Sequence, residues 1–281
     1  MRIKYKLKSP LSHIGEVASN GAYFQTILTS NGKLPVVTAN SVRGQIRDSC
    51  ALHLLDTIGC KVNKEVFNVL FSGGNLNGTM KEDIEKAKMV RKHFPMISLL
   101  GGGLGDMIMS GKTIMTFLYP ICSESIEITG ILSEKSWHEM IDEIEFTRTD
   151  DSKNDLKSKY IADTNEEIHL MASTQMRFEV QYMAAGTEFI QDILFSDSTT
   201  ELEMGAFWAG IKRWFKMPKL GGMSAKGFGI FDANVGGEIS VLNEQIEISD
   251  NVQKLIRNYE EFIKDEMDMY FYLLQSTKKR G

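Results

Sequence analysis

The first eight residues alternate strictly between apolar and mostly basic side chains, and this alternation constrains the fold more than any other short segment. Ile3, Tyr5 and Leu7 share one face, while Arg2 and three lysines occupy the other. A period of two is typical of a strand that is buried on one face. The chain is therefore expected to begin with a half-buried strand of a sheet.

A helix is predicted after this strand, with Asn40 or Ser41 as its cap. Its apolar row recurs every four residues at Val42, Ile46, Cys50, Leu54 and Ile58. Arg43 and Arg47 are also four apart. They lie beside this row in the first turns of the helix, where an anion is favoured.

Capping boxes mark the start of three further helices. The pattern occurs at residues 79–82, 136–139 and 200–203, and the last of these helices extends to about residue 215. Asp250 is the predicted cap of a final helix, whose apolar positions are Val252, Leu255, Tyr259 and Phe262.

Strands are predicted at residues 113–119 and 175–183, and a further strand follows the glycine-rich segment 218–231. The order strand, helix, strands, helix, strand is that of an α+β protein with a split βαβ, ferredoxin-like core. Long insertions at 61–112 and 147–174 interrupt this order.

The composition is that of an ordinary globular protein. Hydrophobic residues make up 42% of the 281 residues and charged residues 25%, which excludes a disordered chain and a coiled-coil rod. Cys50, Cys60 and Cys122 are too scattered for a disulfide framework or a zinc site, and they predict a reducing compartment. No segment approaches the roughly 18 apolar residues of a membrane span. We expect a soluble, cytoplasmic protein without a metal or cofactor.

The net charge of -5 argues at first against a nucleic-acid-binding protein, but the charge is unevenly distributed. Residues 1–120 carry 15 Lys and Arg against 8 Asp and Glu. Two stretches, 17–47 and 205–231, contain basic residues and no acidic residue. These acid-free stretches are predicted to line one positive groove. The alternative is chance clustering on a solvated surface.

The segment 101–113, GGGLGDMIMSGKT, resembles a phosphate-binding loop but departs from its pattern. That pattern has four residues between its first glycine and the Gly-Lys pair, whereas five separate Gly105 from Gly111. Asp106 stands at the position that requires glycine, so its carboxylate would face the phosphates. The segment therefore does not predict a nucleotidase.

The five histidines have no helical pairing, and no Ser-His or Cys-His arrangement can be inferred from their positions. His53 lies beside the apolar row of the long helix and is interpreted as structural. His13 lies in the segment SHIGE at the end of the first strand and is a candidate to face a ligand.

The glycine-rich segment 219–229, KLGGMSAKGFG, is the most informative part of the sequence. Its four glycines allow the backbone to approach a ligand closely, and free amides there can hold phosphate oxygens. Lys219, Ser224 and Lys226 add donors that suit a phosphate backbone. Aromatic residues interleave with the basic ones; they are interpreted as core residues, with base stacking as the alternative.

Three segments in order, SPLSHIGE (9–16), ANSVRGQIRD (39–48) and KLGGMSAKGFG, resemble the RAMP superfamily of CRISPR proteins. The superfamily's helix-opening pattern is a small residue, Ser, Ile or Val, Arg or Lys, Gly and then a basic residue. It matches residues 40–47. The superfamily's C-terminal Gly-Gly-x-Ser-x-Gly-Phe-Gly loop matches 221–229, with one extra residue before Gly227. LFSGGNLNG (70–78), the segment 86–112 and FTRTDD (146–151) are similar to the large repeating backbone subunit of type IV CRISPR effectors.

This resemblance implies a hand-shaped protein with an RRM-like palm. The palm would comprise residues 1–60, 113–147 and 177–281, the fingers 61–112, and the thumb 148–176. Copies would polymerise as a helical filament along the guide RNA and present its spacer to target nucleic acid, together with other CRISPR effector subunits. No membrane is involved.

The resemblance also implies which residues contact the guide RNA. They are contributed by the first strand end, the helix start, the thumb and the glycine-rich loop: His13, Asn40, Ser41, Arg43, Gln45, Arg47, Arg148, Met171, Gln175, Met176, Lys219, Gly221, Gly222, Ser224 and Lys226. Met171 and Met176 are candidate wedges against a base, with core packing as the alternative.

Related subunits of type III complexes cut RNA with a metal and an Asp in the loop before the first helix. Residues 17–47 contain neither Asp nor Glu, so we expect no catalytic residue and no cleavage of target RNA. Glu16 is the residual candidate. The alternative function is a RAMP endoribonuclease that processes CRISPR repeat RNA, with His13 in acid-base catalysis. A third option is a monomeric RNA chaperone.

Overall fold

A computed structural model describes residues 1–18, 21–59, 61–62, 64–74, 84–104, 107–148 and 176–266. These residues form a mixed α+β fold whose sheets are mainly antiparallel, as the order of elements predicted. The predicted capping box at residues 79–82, Cys60, Met171 and Gln175 lie outside the described residues.

Fifteen strands are numbered in chain order. The first nine are β1 (Arg2–Leu7), β2 (Ile14–Ala18), β3 (Gly21–Phe24), β4 (Thr26–Thr29), β5 (Gly32–Pro35), β6 (Gly102–Leu104), β7 (Met107–Met109), β8 (Thr113–Met115) and β9 (Tyr119–Pro120). The remaining six are β10 (Ile141–Arg148), β11 (Met176–Met183), β12 (Glu188–Phe195), β13 (Phe231–Val235), β14 (Ile239–Leu242) and β15 (Gln245–Ile248).

Seven α-helices are described: α1 (Ala39–Ile58), α2 (Lys64–Ser72), α3 (Ile84–His93), α4 (Pro95–Leu100), α5 (Ile126–Thr129), α6 (Glu201–Trp214) and α7 (Asp250–Asp265). Three 3₁₀ turns accompany them at Ser123–Ser125, Trp137–Glu139 and Ser224–Lys226.

The main sheet has β1 near its centre. Its strand order is β15-β14-β13-β1-β12-β8, and β9 also pairs with β12. The apolar residues of β1, Ile3, Tyr5 and Leu7, are buried and the basic ones exposed, so the predicted half-buried strand is confirmed. The predicted strand at 113–119 is two short strands, β8 and β9.

Helices α1 and α6 cover the apolar face of this sheet. All five residues of the predicted apolar row of α1 are buried, and they share one core with β1. Tyr5 of β1 lies 6.4 Å from Trp214 at the end of α6, measured between ring centroids. The thiol of Cys50 donates to the carbonyl oxygen of Ala206 on α6 at 3.3 Å. α7 packs against α6 and completes the helical layer.

A second sheet has the order β10-β11-β3-β2. β10 and β11 are antiparallel over eight residue pairs, from Ile141–Met183 to Arg148–Met176. β11 and β3 are parallel. β10 ends at Arg148 and β11 begins at Met176, and the predicted thumb between them lies outside the described residues.

The predicted caps agree with the structure in two places. Thr200 and Glu203 form a capping box at the start of α6, and Ser136 and Glu139 form one at a 3₁₀ turn. The cap of α7 is Ser249, whose side chain accepts from the backbone N–H of Val252, so the prediction of Asp250 was wrong by one residue. Asp250 is instead the first residue of the helix, where its negative charge is favoured.

Within the described part of the chain, no helix is both long and apolar enough to cross a membrane. Cys50 and Cys122 are buried and free.

Candidate nucleic-acid interface

The start of α1 is held by a side chain from outside the helix. The helix begins at Ala39 with Thr38 as its cap residue, so the prediction of Asn40 or Ser41 as the cap was wrong. Thr38 makes no side-chain cap, and its backbone N–H donates to Nε2 of His13 at 3.1 Å. Asn40 is exposed and Ser41 is half-buried, so Asn40 remains open to a ligand.

His13 is half-buried and lies edge-on to the ring of Phe24, with the ring centroids 6.1 Å apart. Burial lowers the pKa of His13 because it disfavours the charged imidazolium. Since Nε2 accepts the Thr38 N–H, the neutral ring carries its proton on Nδ1. In this structure His13 positions the start of α1.

The two arginines of α1 face the end of another helix. Arg47 is only 7% exposed, and its Nη2 donates to the carbonyl oxygens of Leu100 at 3.1 Å and Gly101 at 2.9 Å. Arg43 Nη2 also donates to the carbonyl of Leu100. Leu100 ends α4, so these guanidinium groups satisfy carbonyls that have no partner within that helix. No pattern in the sequence indicated this contact.

The glycine-rich loop lies against the segment after β1. The backbone N–H of Gly222 donates to the carbonyl oxygen of Ser12 at 2.9 Å, and Gly229 donates to Pro10 at 2.7 Å. Gly221 has a positive φ of 66°, and a Cβ there would overlap the Ser12 carbonyl. Glycine is therefore required at Gly221 by both its conformation and its neighbour.

The tip of the loop is exposed. Ser224 and Lys226 bound a 3₁₀ turn, and both are exposed, as are Lys219 and Gly222. The ammonium group of Lys226 lies 4.3 Å from the centroid of the Phe146 ring on β10, which is a cation–π contact.

Residues 9–13 connect the two acid-free stretches. Ser12 accepts from Gly222 of the loop, and the adjacent His13 accepts from Thr38, immediately before α1. The loop and the helix start are thus held on one short segment. Another basic residue of the second stretch lies away from this segment. Arg213 of α6 forms an ion pair with Asp56, near the C-terminal end of α1, at 2.6 Å.

The expected thumb residues are only partly described. Arg148 is the last residue of β10 and pairs across the ribbon with Met176, the first residue of β11. The structure says nothing of their side chains. Gln45 is half-buried on α1.

Two features of this region were not predicted from the sequence. Phe146 was not singled out, although an aromatic residue after the acidic run DEIE of β10 is a visible signal. The cavity beside Arg47 was missed as well. Its signal was the glycine pair at residues 73 and 74, in the segment LFSGGNLNG that carried part of the type IV resemblance.

Lys112, from the segment that resembles a phosphate-binding loop, is engaged in a buried ion pair. Its Nζ lies 2.8 Å from Oε1 of Glu203 on α6 and donates to the carbonyl of Ser198 at 2.8 Å. Burial alone raises the pKa of Glu203, but hydrogen bonds from Lys112, Ser98 and the Thr200 backbone lower it below its ordinary value.

The chain was compared with known proteins. No protein-family model matches it, and no curated protein matches it. Among solved structures, a chain of a Type IV-B CRISPR complex is similar to it, with a TM-score of 0.62 and 16% sequence identity over 83% of this chain and 88% of that chain. The chain has the fold of a type IV CRISPR complex component. The type IV resemblance found in the sequence motifs is confirmed at the level of the fold.

Proposed function

We propose that the chain is a non-catalytic backbone subunit of a type IV CRISPR effector. It binds the sugar-phosphate backbone of the guide RNA and presents the spacer for base pairing with target nucleic acid. Copies polymerise along the guide as a helical filament, together with other effector subunits. The fold shared with a chain of a Type IV-B CRISPR complex supports this role.

The main sheet supports an RRM-like palm within this fold. Its central strands β13-β1-β12-β8 are all antiparallel, and α1 and α6 follow β1 and β12 in the chain. This is the arrangement of a split βαβ core. In the proposed hand, α2 to α4 and the β6–β7 ribbon belong to the fingers, and β10 and β11 carry the thumb.

The observation that carries the proposal is the joining of the helix start and the glycine-rich loop by residues 9–13. Asn40 lies at the helix start that this segment holds, and Lys219, Ser224 and Lys226 belong to the loop that it holds; all four residues are exposed. Amide, hydroxyl and ammonium donors suit a row of phosphates. They would read the guide backbone and not its sequence.

The endoribonuclease alternative depended on His13 as the acid-base residue. Nε2 of His13 already accepts the Thr38 N–H, and burial lowers its pKa. These contacts favour a structural role for the ring, so the non-catalytic role is the one proposed.

The proposal is tested by the salt dependence of guide binding. In the variant Lys219→Gln with Lys226→Gln, two phosphate contacts are removed. The plot of log affinity against log salt for single-stranded guide RNA should therefore flatten by about 1.4, at about 0.7 per contact. Fluorescence anisotropy at several salt concentrations measures this slope.

The matched control is Lys254→Gln with Lys264→Gln, which removes two exposed lysines of α7. The control should keep the wild-type slope. If both double variants flatten the slope equally, RNA binding depends on the overall positive charge of the protein. The assignment of phosphate contacts to the loop would then be wrong. An unchanged slope in the loop variant would contradict the proposal directly.

A further inference from the structure

A cavity of about 600 Å³ lies between the first turns of α1 and the residues that face them. Its opposite wall consists of residues 71–74, which end α2 and follow it, and of residues of the β6–β7 ribbon and the segment after it. Small-molecule sites in proteins have volumes of about 300–1,000 Å³, so the cavity is large enough for one ligand of nucleotide size.

The charged side chains among the described residues that line this cavity are of one sign. Arg43 and Arg47 are the only ionisable residues among the described residues that line it. Arg47 is 7% exposed, and while its Nη2 donates to two carbonyls, its Nη1 is buried and has no hydrogen-bond partner among the described residues. A buried guanidinium N–H without an acceptor is unfavourable, so the structure provides a donor for an acceptor group that enters the cavity.

The wall opposite Arg47 is backbone. Gly73 and Gly74 have φ values of 76° and 90°, and a Cβ on Gly74 would overlap the carbonyl of Gly103. A Cβ on Gly73 would lie 3.7 Å from Cζ of Arg47. Because these glycines lack side chains, a ligand can approach the arginine closely.

The same cavity has an apolar side. Phe71 is half-buried and stacks on Phe67, with the ring centroids 4.4 Å apart. Ile108 of β7 also lines the cavity and is 71% exposed. Exposed apolar and aromatic side chains beside a cationic end suit a ligand that is anionic at one end and flat at the other.

We propose that this cavity binds a single nucleotide, with its phosphate on Arg47 and Arg43 and its base beside Phe71 and Ile108. The group that is recognised is the phosphate of one nucleotide. That nucleotide is either a free nucleoside monophosphate or one nucleotide of a bound RNA, and only the second source rests on the proposed function.

The test uses Gly44→Glu in the purified full-length chain. Gly44 lines the cavity, and a Cβ there meets no atom within 4 Å, so a glutamate can leave the helix at this point and bring a carboxylate to the cavity wall. The control is Leu52→Glu, which adds the same charge to an exposed position of the same helix. Thermal unfolding of both variants verifies that they fold.

Binding of AMP, of adenosine and of a single-stranded oligoribonucleotide is measured by calorimetry. If the source is a free nucleotide, AMP binds more tightly than adenosine. Gly44→Glu then lowers the affinity for AMP about tenfold or more, whereas Leu52→Glu leaves that affinity unchanged. If the source is RNA, AMP does not bind. Gly44→Glu then lowers the affinity for the oligoribonucleotide by the same factor, and Leu52→Glu does not.

The proposal is overturned if Gly44→Glu affects neither ligand, or if adenosine binds as well as AMP. Failure of the proposed function is a separate outcome, because it is detected by the Lys219 and Lys226 variant, whose substitutions do not line the cavity.

Discussion

At the scale of single residues, His13 couples the start of α1 to pH. Burial lowers its pKa below the ordinary value of 6.5, so the unfolded chain takes up a proton at a pH where the folded chain resists it. The stability that depends on neutral His13 is therefore present above about pH 6.5 and is lost as the pH falls below it. Protonation also removes Nε2 as the acceptor for the Thr38 N–H.

We expect the free energy of unfolding to fall between about pH 7.5 and about pH 5.5, and the fall to be smaller in His13→Asn. Urea unfolding at a series of pH values measures this. The pKa of His53 is also lowered, mainly because the ring is buried. Part of the pH dependence of stability therefore remains in the His13→Asn variant. An identical pH profile for wild type and His13→Asn would show that His13 is not responsible.

At the scale of elements, the crossing of α1 and α6 depends on a glycine. A Cβ on Gly210 would overlap Sγ of Cys50, so the two helices are in close contact at this point. Gly210→Ala should lower the free energy of unfolding by about 1–3 kcal/mol, because overpacking outweighs the gain in helix propensity. Chemical denaturation measures the change.

The control for this prediction is Gly44→Ala on α1, where a Cβ meets no atom within 4 Å. That variant should gain up to about 1 kcal/mol from helix propensity alone. Adding Cys50→Ala to Gly210→Ala removes the overlapping sulfur and should recover part of the loss. If Gly210→Ala is as stable as wild type, the helices can separate without cost and the packing argument is wrong.

At the scale of the whole molecule, the prediction concerns catalysis. Metal-assisted cleavage needs a carboxylate to hold the ion near the scissile phosphate, and residues 17–47 contain none. The assembled complex, incubated with complementary RNA and Mg²⁺ or Mn²⁺, should leave that RNA uncut. Gel electrophoresis of labelled target measures the result. Cleavage that disappears in Glu16→Ala would contradict the non-catalytic role.

The buried faces of β1 and α1 were predictable from the sequence alone, whereas the row predicted for α7 was half wrong, since Ile256 and Ile263 are buried there in place of Leu255 and Phe262. The alternation of β1 and the four-residue row of α1 place their buried residues correctly. Such patterns are local, because one buried face forces a period of two in a strand and of 3.6 in a helix. The capping box of α6 is local for the same reason, since Thr200 and Glu203 satisfy each other's backbone groups.

The environment of the charged groups was decided by the tertiary structure. Arg43 and Arg47 were correctly placed in the first turns of a helix, but the chain brings the carbonyls of Leu100 and Gly101 to them from more than fifty residues away. Periodicity describes which face a side chain occupies and carries no information about what packs there. The sequence by itself therefore determined β1, α1 and the start of α6, and it carried the type IV resemblance, whereas other elements, among them β12 of the main sheet, were not predicted. Only long-range packing decided that Arg47 supports α4 with Nη2 and leaves Nη1, beside a cavity, without a hydrogen-bond partner among the described residues.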